Sequence, residues 1–258
     1  MKRTPITPPH SLFPAELSCF LSGAALYDSN SSPEARVYFI DKDGGYYLKT
    51  AARGALKREQ ELARYFHGKG LAPEVLAYIS AERDFMLTAR VRGEDMTLRK
   101  YLDEPKKLSE LSASLLRGLH ETDFSGCPVQ DHTARYLATA AENFKKGPYD
   151  LSYAPEFKTA GEAWDFLQKN AHMLQNEVLL HGDYCLPNVM LEDWRFTGFI
   201  DVGNGGVGDR HVDLFWGAWT LAFNLGTDAY RERFFDAYGR DKLIKEKLSL
   251  VAAAEIFG

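Results

Sequence analysis

A two-lobed α+β fold is predicted by three features of this 258-residue sequence. Residues 1–91 hold short runs of β-forming residues separated by turn signals, the pattern of a small antiparallel sheet. One helical stretch interrupts them. From residue 96 the apolar spacing changes to that of amphipathic helices. The expected division is a β-rich lobe over 1–91 and a helical lobe over 92–258, with a hinge near 88–93 and a cleft between them.

The elements follow in order. Residues 1–15 are Pro-rich and extended, and Pro14 opens a short helix at its first position. Gly23–Tyr27 reads as a strand, followed by a polar turn over Asp28–Pro33. Arg36–Ile40 and Tyr46–Lys49 are strands joined by the hairpin loop Asp41–Gly45. Leu56, Leu62, Ala63, Tyr65 and Phe66 mark a helix that stops near Gly68–Gly70. Val75–Ile79 and Phe85–Thr88 are two more strands around the turn Ala81–Asp84. In the second lobe, helices are expected over 108–120, 134–144, 162–174, 213–225 and 229–238, with a last one running to the end. Residues 145–160 read as loop. Val178–Leu180 leads into a polar loop, and Val189–Leu191 with Phe196–Ile200 forms a hairpin turning at Glu192–Arg195.

Composition narrows the function classes. With 45% hydrophobic and 26% charged residues, the chain has ample material for a core. The net charge of −5 argues against nucleic acid as a partner. Residues 1–91 carry 12 Lys and Arg against 10 Asp and Glu, and the remainder carries 19 against 26. An acidic second half suits a cationic small substrate, although surface carboxylates are often merely solvated. Cys19, Cys127 and Cys185 are too few and too scattered for a disulfide framework or a zinc site. No signal peptide is evident at Met1–Arg3, because Pro5, Pro8 and Pro9 interrupt any apolar stretch. The longest apolar run, Leu214–Phe223, is too short for a bilayer. A cytoplasmic protein is expected, monomeric rather than oligomeric.

The chemistry lies in His181-Gly182-Asp183-Tyr184-Cys185-Leu186-Pro187-Asn188 and Gly198-Phe199-Ile200-Asp201. An acid, an Asn five positions on and a second acid thirteen positions later match a phosphoryl-transfer centre. Asp183 suits the base that accepts a hydroxyl proton. Asn188 and Asp201 offer the oxygen ligands that hard Mg²⁺ requires. Any one of these acids alone is more often a turn or cap residue, and it is their order that carries the reading.

The first lobe supplies the donor side. Lys49 ends a strand, within reach of ATP phosphates, and Glu59 on the next helix is placed to hold it by an ion pair. Glu61 competes for that role but points about 200° away round the helix, from ~100° per residue. Tyr47 shares the strand face of Lys49 and is a candidate to stack on adenine, although a strand Tyr is more often simple packing. The loop at Asp28–Pro33 sits where a phosphate-covering loop belongs. It lacks the Gly-rich pattern, so Ser31 and Ser32 are the candidates there.

Together with Gly203 and Gly206-Val207-Gly208-Asp209-Arg210, these pieces resemble the aminoglycoside 3′-phosphotransferases, whose fold is similar to that of protein kinases. The resemblance is strongest over 181–213. It implies transfer of the γ-phosphate of ATP, with Mg²⁺, to a hydroxyl of a cationic aminoglycoside antibiotic. It also implies that main-chain groups around Thr88–Arg90 hold the adenine. In that family acids from an insertion and from the C-terminal tail grip the acceptor. Asp150, Glu156, Glu255 and the aromatic Phe257 are the corresponding candidates. The sequence departs from the pattern at Asn204, where the family commonly has Arg, and around Phe223-Asn224, which is less acidic than a drug-binding wall.

Two other readings stand beside this one. A metabolite kinase of the same superfamily would use the same catalytic residues with a less acidic acceptor pocket. A non-catalytic nucleotide-binding regulator is disfavoured because Lys49, Glu59, Asp183, Asn188 and Asp201 are all present. Neither H-E-x-x-H nor G-x-S-x-G occurs, which removes the zinc and serine hydrolases.

Overall fold

The computed structural model describes residues 3–9, 12–29 and 31–258. Asn30, in the loop expected to cover phosphate, lies outside them, as do residues 1, 2, 10 and 11 of the Pro-rich start. The chain divides into two compact units. The first holds the described residues up to Asp95 together with Val189–Gly203, and the second holds Met96–Asn188 and Asn204–Gly258. The sequence-expected lobes, by contrast, are each a single continuous stretch. Residues 189–203 group with the first unit because their hairpin pairs with a short strand at Glu94–Asp95.

In the first unit, strands β1 (Thr4–Ile6), β2 (Ala25–Asp28), β3 (Ala35–Asp41), β4 (Tyr46–Ala52), β5 (Val75–Ser80) and β6 (Arg83–Ala89) form an antiparallel sheet. Its order is β1-β2-β3-β4-β6-β5. Helix α1 (Ser18–Leu21) precedes β2, and α2 (Lys57–Gly68) links β4 to β5. Pro14 lies just before the first helical turn rather than within it. Alternation along the strands divides the side chains between two faces. Tyr38, Ile40, Leu48, Phe85 and Leu87 join Phe13, Leu17 and Leu21 in one apolar cluster. Tyr47 and Lys49 project from the opposite face of β4.

The start of α2 is tied to the sheet by Asp84, a fully buried acid on β6. Its carboxylate accepts from the Leu56 backbone N–H at 2.9 Å, the Ser80 hydroxyl at 2.7 Å and the Tyr78 hydroxyl at 3.0 Å. A smaller sheet of β7 (Glu94–Asp95), β9 (Val189–Glu192) and β10 (Arg195–Phe199) completes this unit. Asp193 and Trp194, at φ 48° and 66°, make the two-residue turn between β9 and β10. Both central residues of the favoured hairpin turn require such positive angles.

The second unit is helical: α3 (Arg99–Leu102), α4 (Pro105–His120), α5 (His132–Lys146), α6 (Ala160–Asn170), α7 (His211–Leu225), α8 (Arg231–Tyr238) and α9 (Lys245–Glu255). Helix α4 begins earlier than the periodicity predicts because Pro105 suits a first helical position. The Thr159 hydroxyl caps α6 by accepting from the Glu162 N–H at 3.1 Å, and the Glu162 carboxylate accepts from the Lys158 N–H at 3.0 Å. Strands β8 (Val178–Leu180) and β11 (Gly206–Gly208) pair antiparallel and are buried. They frame the two ends of the polar loop region.

Asp84→Ala is expected to lower unfolding free energy by about 2–4 kcal/mol, because it strands the buried Leu56 N–H and frees the start of α2. Urea unfolding checks this, and a loss below about 0.5 kcal/mol would contradict it.

Candidate active site

In the first unit, the Lys49 ammonium donates to both oxygens of Glu59, at 2.8 and 2.9 Å. It also lies 3.5 Å from Asp201 Oδ1. Burial alone would lower the Lys49 pKa, but Glu59 and then Asp201 hold it above its ordinary value. The charge is therefore secure. Glu59, not Glu61, makes the pair. The same helix fixes the Asp201 segment: Arg58 Nε donates to the Gly203 carbonyl at 3.0 Å. A Cβ at Gly203 would come within 2.8 Å of Glu59 Cγ, so glycine there lets the acid segment lie against α2. Asp201 sits at φ 55°, an uncommon angle for a residue with a side chain.

The other donor-side candidates have partners of their own. The Tyr47 hydroxyl accepts from Arg3 at 2.9 Å, and its ring lies 5.3 Å from Phe39. Thr88 pairs across the sheet with Tyr47. The Ala89 and Arg90 amides donate to the Glu74 and Gly45 carbonyls at 3.0 and 3.1 Å. The Ser31 hydroxyl donates to Asp28 at 2.8 Å and accepts from the Val37 N–H at 3.1 Å, while Ser32 Oγ accepts from the Ala35 N–H at 3.2 Å. Both serine hydroxyls thus hold the loop itself together.

In the second unit, Asp183 and Asn188 share one tight loop. Asn188 Nδ2 donates to the Asp183 carbonyl and to Asp183 Oδ2, each at 2.9 Å. The loop hangs on Asp213, at the start of α7 and fully buried. Asp213 accepts from the backbone N–H of His181 at 2.7 Å and of Gly182 at 2.9 Å. Its third partner is His120 Nε2 at 3.2 Å, and His120 Nδ1 meets the Tyr238 hydroxyl at 2.7 Å. Burial alone would raise the Asp213 pKa, but the bond from His120 and the neighbouring histidines keep it below the usual carboxylate value. Gly182 has φ +82°, and a Cβ there would fall 2.1 Å from the Asn204 carbonyl oxygen. The exposed Asn204 thus lends its backbone to this turn.

Asp213 and His120 escaped sequence reading. The available signal is that twelve residues after Asp213, Leu214–Leu225, carry no charge, so an acid at their head is buried and must be bonded. Gly208-Asp209-Arg210 is structural too. Asp209 is fully buried and accepts from Lys247 at 2.8 Å and the His211 N–H at 3.0 Å. Arg210 grips Glu177 at 2.8 and 3.2 Å. Glu177, Asp209 and His211 have metal-ligand character, but these cations already neutralise the acids. Burial and the adjacent Asp183 push the Cys185 thiol up, which disfavours its thiolate form.

The acceptor-side candidates differ among themselves. Asp150 is exposed and caps a short turn by accepting from the Ser152 N–H at 2.9 Å, and its own N–H donates to the Ile256 carbonyl at 3.1 Å. Glu156 is exposed. Glu255 is not a solvent-facing acid: it is 6% exposed and accepts from the Tyr136 hydroxyl at 2.7 Å and Trp216 Nε1 at 3.1 Å. Burial, only partly opposed by these two donors, raises its pKa to about 7. Phe257 is 1% exposed among Phe144, Tyr149 and Trp164, so its side chain is core rather than substrate contact. Helix packing buried both residues, and no local pattern announces that.

The metal candidates fit Mg²⁺ chemically. With Nδ2 spent on Asp183, the Asn188 amide has Oδ1 as its donor atom. Asp201 is exposed, with a carboxylate to offer. Both are hard oxygen donors.

A raised Glu255 pKa has a definite consequence for stability. The unfolded carboxyl ionises near its ordinary value of 4.5, whereas the folded one keeps its proton to about 7. Its contribution is full below the first value and is lost as pH rises through the second. The stability of the protein relative to Glu255→Gln should therefore fall between pH 4 and pH 8. Urea unfolding across that range checks it, and a pH-independent difference would contradict it.

Comparison with known proteins places this geometry. The family model described as the phosphotransferase enzyme family matches residues 29–248. A probable aminoglycoside 3′-phosphotransferase of Lactococcus lactis subsp. lactis is 48% identical over 95% of each chain. An aminoglycoside 3′-phosphotransferase of Streptomyces fradiae is 36% identical over 92% of this chain and 91% of that protein. Among solved structures, an aminoglycoside-3′-phosphotransferase of type VIII superposes with TM-score 0.73 at 25% identity, covering 96% of both chains. The fold is α+β and protein-kinase-like. A match over most of the chain, with this degree of identity, makes the protein a member of the phosphotransferase enzyme family.

Proposed function

We propose that this chain transfers the γ-phosphate of ATP to the 3′-hydroxyl of an aminoglycoside antibiotic, a modification that gives resistance. The observation that carries the reading is the Asp183–Asn188 pair, held in one loop by two bonds of 2.9 Å. Asn188 engages Asp183 Oδ2, and Oδ1 is assigned to accept the acceptor hydroxyl proton as the phosphate arrives. Lys49, kept charged by Glu59, is assigned to the phosphates. Asn188 Oδ1 and the Asp201 carboxylate would hold Mg²⁺, which when bound neutralises charge on the phosphates.

On this reading the first unit binds nucleotide, through Tyr47, the backbone around Thr88 and Arg90, and the loop of Ser31 and Ser32. The second unit binds the acceptor, with Asp150 and Glu156 offering exposed carboxylates to its ammonium groups. The relatives named as 3′-phosphotransferases support the acceptor class. Dependence on ATP supports a cytoplasmic site of action. Among the described residues, no helix is long and apolar enough to cross a membrane.

ADP release from ATP and Mg²⁺ with kanamycin and neomycin, using Asp183→Ala as the blank, tests the activity. No release above that blank would sink the reading. Asp183→Asn should lower kcat by about 10²–10⁴ while nucleotide KM stays within about twofold. Lys49→Ala should instead raise nucleotide KM, which steady-state kinetics separates.

A further inference from the structure

Helix α7 carries a row of aromatic side chains outward from the catalytic loop. Its root is polar. Thr220 Oγ1 accepts from the Leu186 N–H at 3.2 Å, inside the loop that holds Asp183 and Asn188. Trp216, one turn earlier, donates to Glu255 at 3.1 Å, and Asp183 contributes to the electrostatic environment of that carboxyl. Tyr153 meets Trp216 at 5.7 Å and Trp219 at 6.0 Å, and Trp216 meets Trp219 at 5.4 Å. Trp219 then stacks on Phe223 at 5.0 Å with an interplanar angle of 12°.

Phe223 is 69% exposed, the most exposed of the large hydrophobic side chains among the described residues. Trp219 is half-buried. The two rings are nearly parallel and stacked, so one face of Phe223 packs on Trp219 while the exposed remainder of its ring ends a column of aromatic side chains that runs back to Trp216. From Leu214 to Leu225 the helix has no charged residue, and Asn224 spends its amide donor on Thr220 at 2.8 and 3.2 Å. This wall therefore cannot recognise a polycation by ion pairing. It offers the negative faces of aromatic rings, which attract C–H edges and ammonium groups alike.

We propose that the Trp219–Phe223 pair is the platform on which an amino-sugar ring of the acceptor lies, so that this chain selects its acceptor by stacking and cation–π contact at α7. The inference rests on the phosphotransferase reading and deepens it. The acceptor class is an amino-glycoside with one ring presenting an apolar C–H face and an ammonium beyond the phosphorylated ring. The exposed acid at Asp150 complements that ammonium charge. Tyr153, three residues on from Asp150, joins that acid's turn to the wall through its ring contacts with Trp216 and Trp219.

The test is steady-state kinetics of Phe223→Ala with kanamycin. Truncating an exposed ring should leave folding intact. The expected result is an acceptor KM raised about 5- to 30-fold, the range of an aromatic–cation contact. The kcat and the nucleotide KM should each stay within about twofold, and Phe223→Trp should restore the acceptor KM. An unchanged acceptor KM in an active Phe223→Ala enzyme overturns this inference and leaves the activity standing. So does an equal fall in kcat and thermal stability, which would mark a structural role. If the parent enzyme phosphorylates nothing, the functional reading fails. Tryptophan fluorescence of Asp183→Ala titrated with kanamycin then decides the platform. Saturable quenching that Phe223→Ala removes supports it, and no quenching overturns it.

Discussion

The second unit depends on one buried carboxylate. Asp213 lies inside the protein and would be costly there as an unpaired charge. Three donors satisfy it: the backbone N–H groups of His181 and Gly182, and the His120 imidazole. Those two amides open the loop that carries Asp183 and Asn188, so the charge that needs burying and the loop that needs fixing solve each other's problem. The bracing continues outward. His120 is held by Tyr238, which also meets Arg210 at 3.4 Å, and Arg210 is clamped by Glu177. Asp209, Lys247 and His211 form a second buried knot beside it. A loop supported this way holds Asp183 with little conformational freedom, which is what its proposed role as base requires.

The first unit solves a different problem, keeping a partly buried lysine charged and aimed. Glu59 does this with both oxygens, and α2 supplies Glu59 from a fixed place because Asp84 ties its first turn to the sheet. Arg58, the adjacent residue, holds the Gly203 carbonyl and with it the strained Asp201. One helix therefore orients the Lys49 ammonium and the Asp201 carboxylate together.

What could be read from the sequence follows from what is local. Period-two alternation placed Tyr47 and Lys49 on one strand face, and helical spacing separated Glu59 from Glu61. The Asp183–Asn188 spacing is a property of one loop, so it survives without knowledge of the rest. Strands β7 and β11 were invisible because two or three residues carry no periodicity, and Gly206 and Gly208 argue against a strand. Glu255 and Phe257 looked like an acidic-aromatic tail, but packing of α9 against other helices decides their burial. Asp213 was hidden for the same reason. An acid at a helix start ordinarily caps that helix, and only its distant partners show that it serves another segment. The serines of the Asp28–Pro33 loop show the converse: their hydroxyls are consumed locally, by Asp28, Val37 and Ala35.

The aromatic wall on α7 follows from the same division between scaffold and surface. The helix begins with the carboxylate that fixes the Asp183 loop and ends with the exposed ring of Phe223, so one element links that loop to the face proposed to meet the acceptor. Native-state amide hydrogen exchange at His181 and Gly182 tests whether the loop depends on Asp213. If it does, both amides are protected to about the level of β8 and exchange only when the second unit opens. Exchange at the rate of an exposed loop such as Ser125–Gly126 would show that the carboxylate does not hold them.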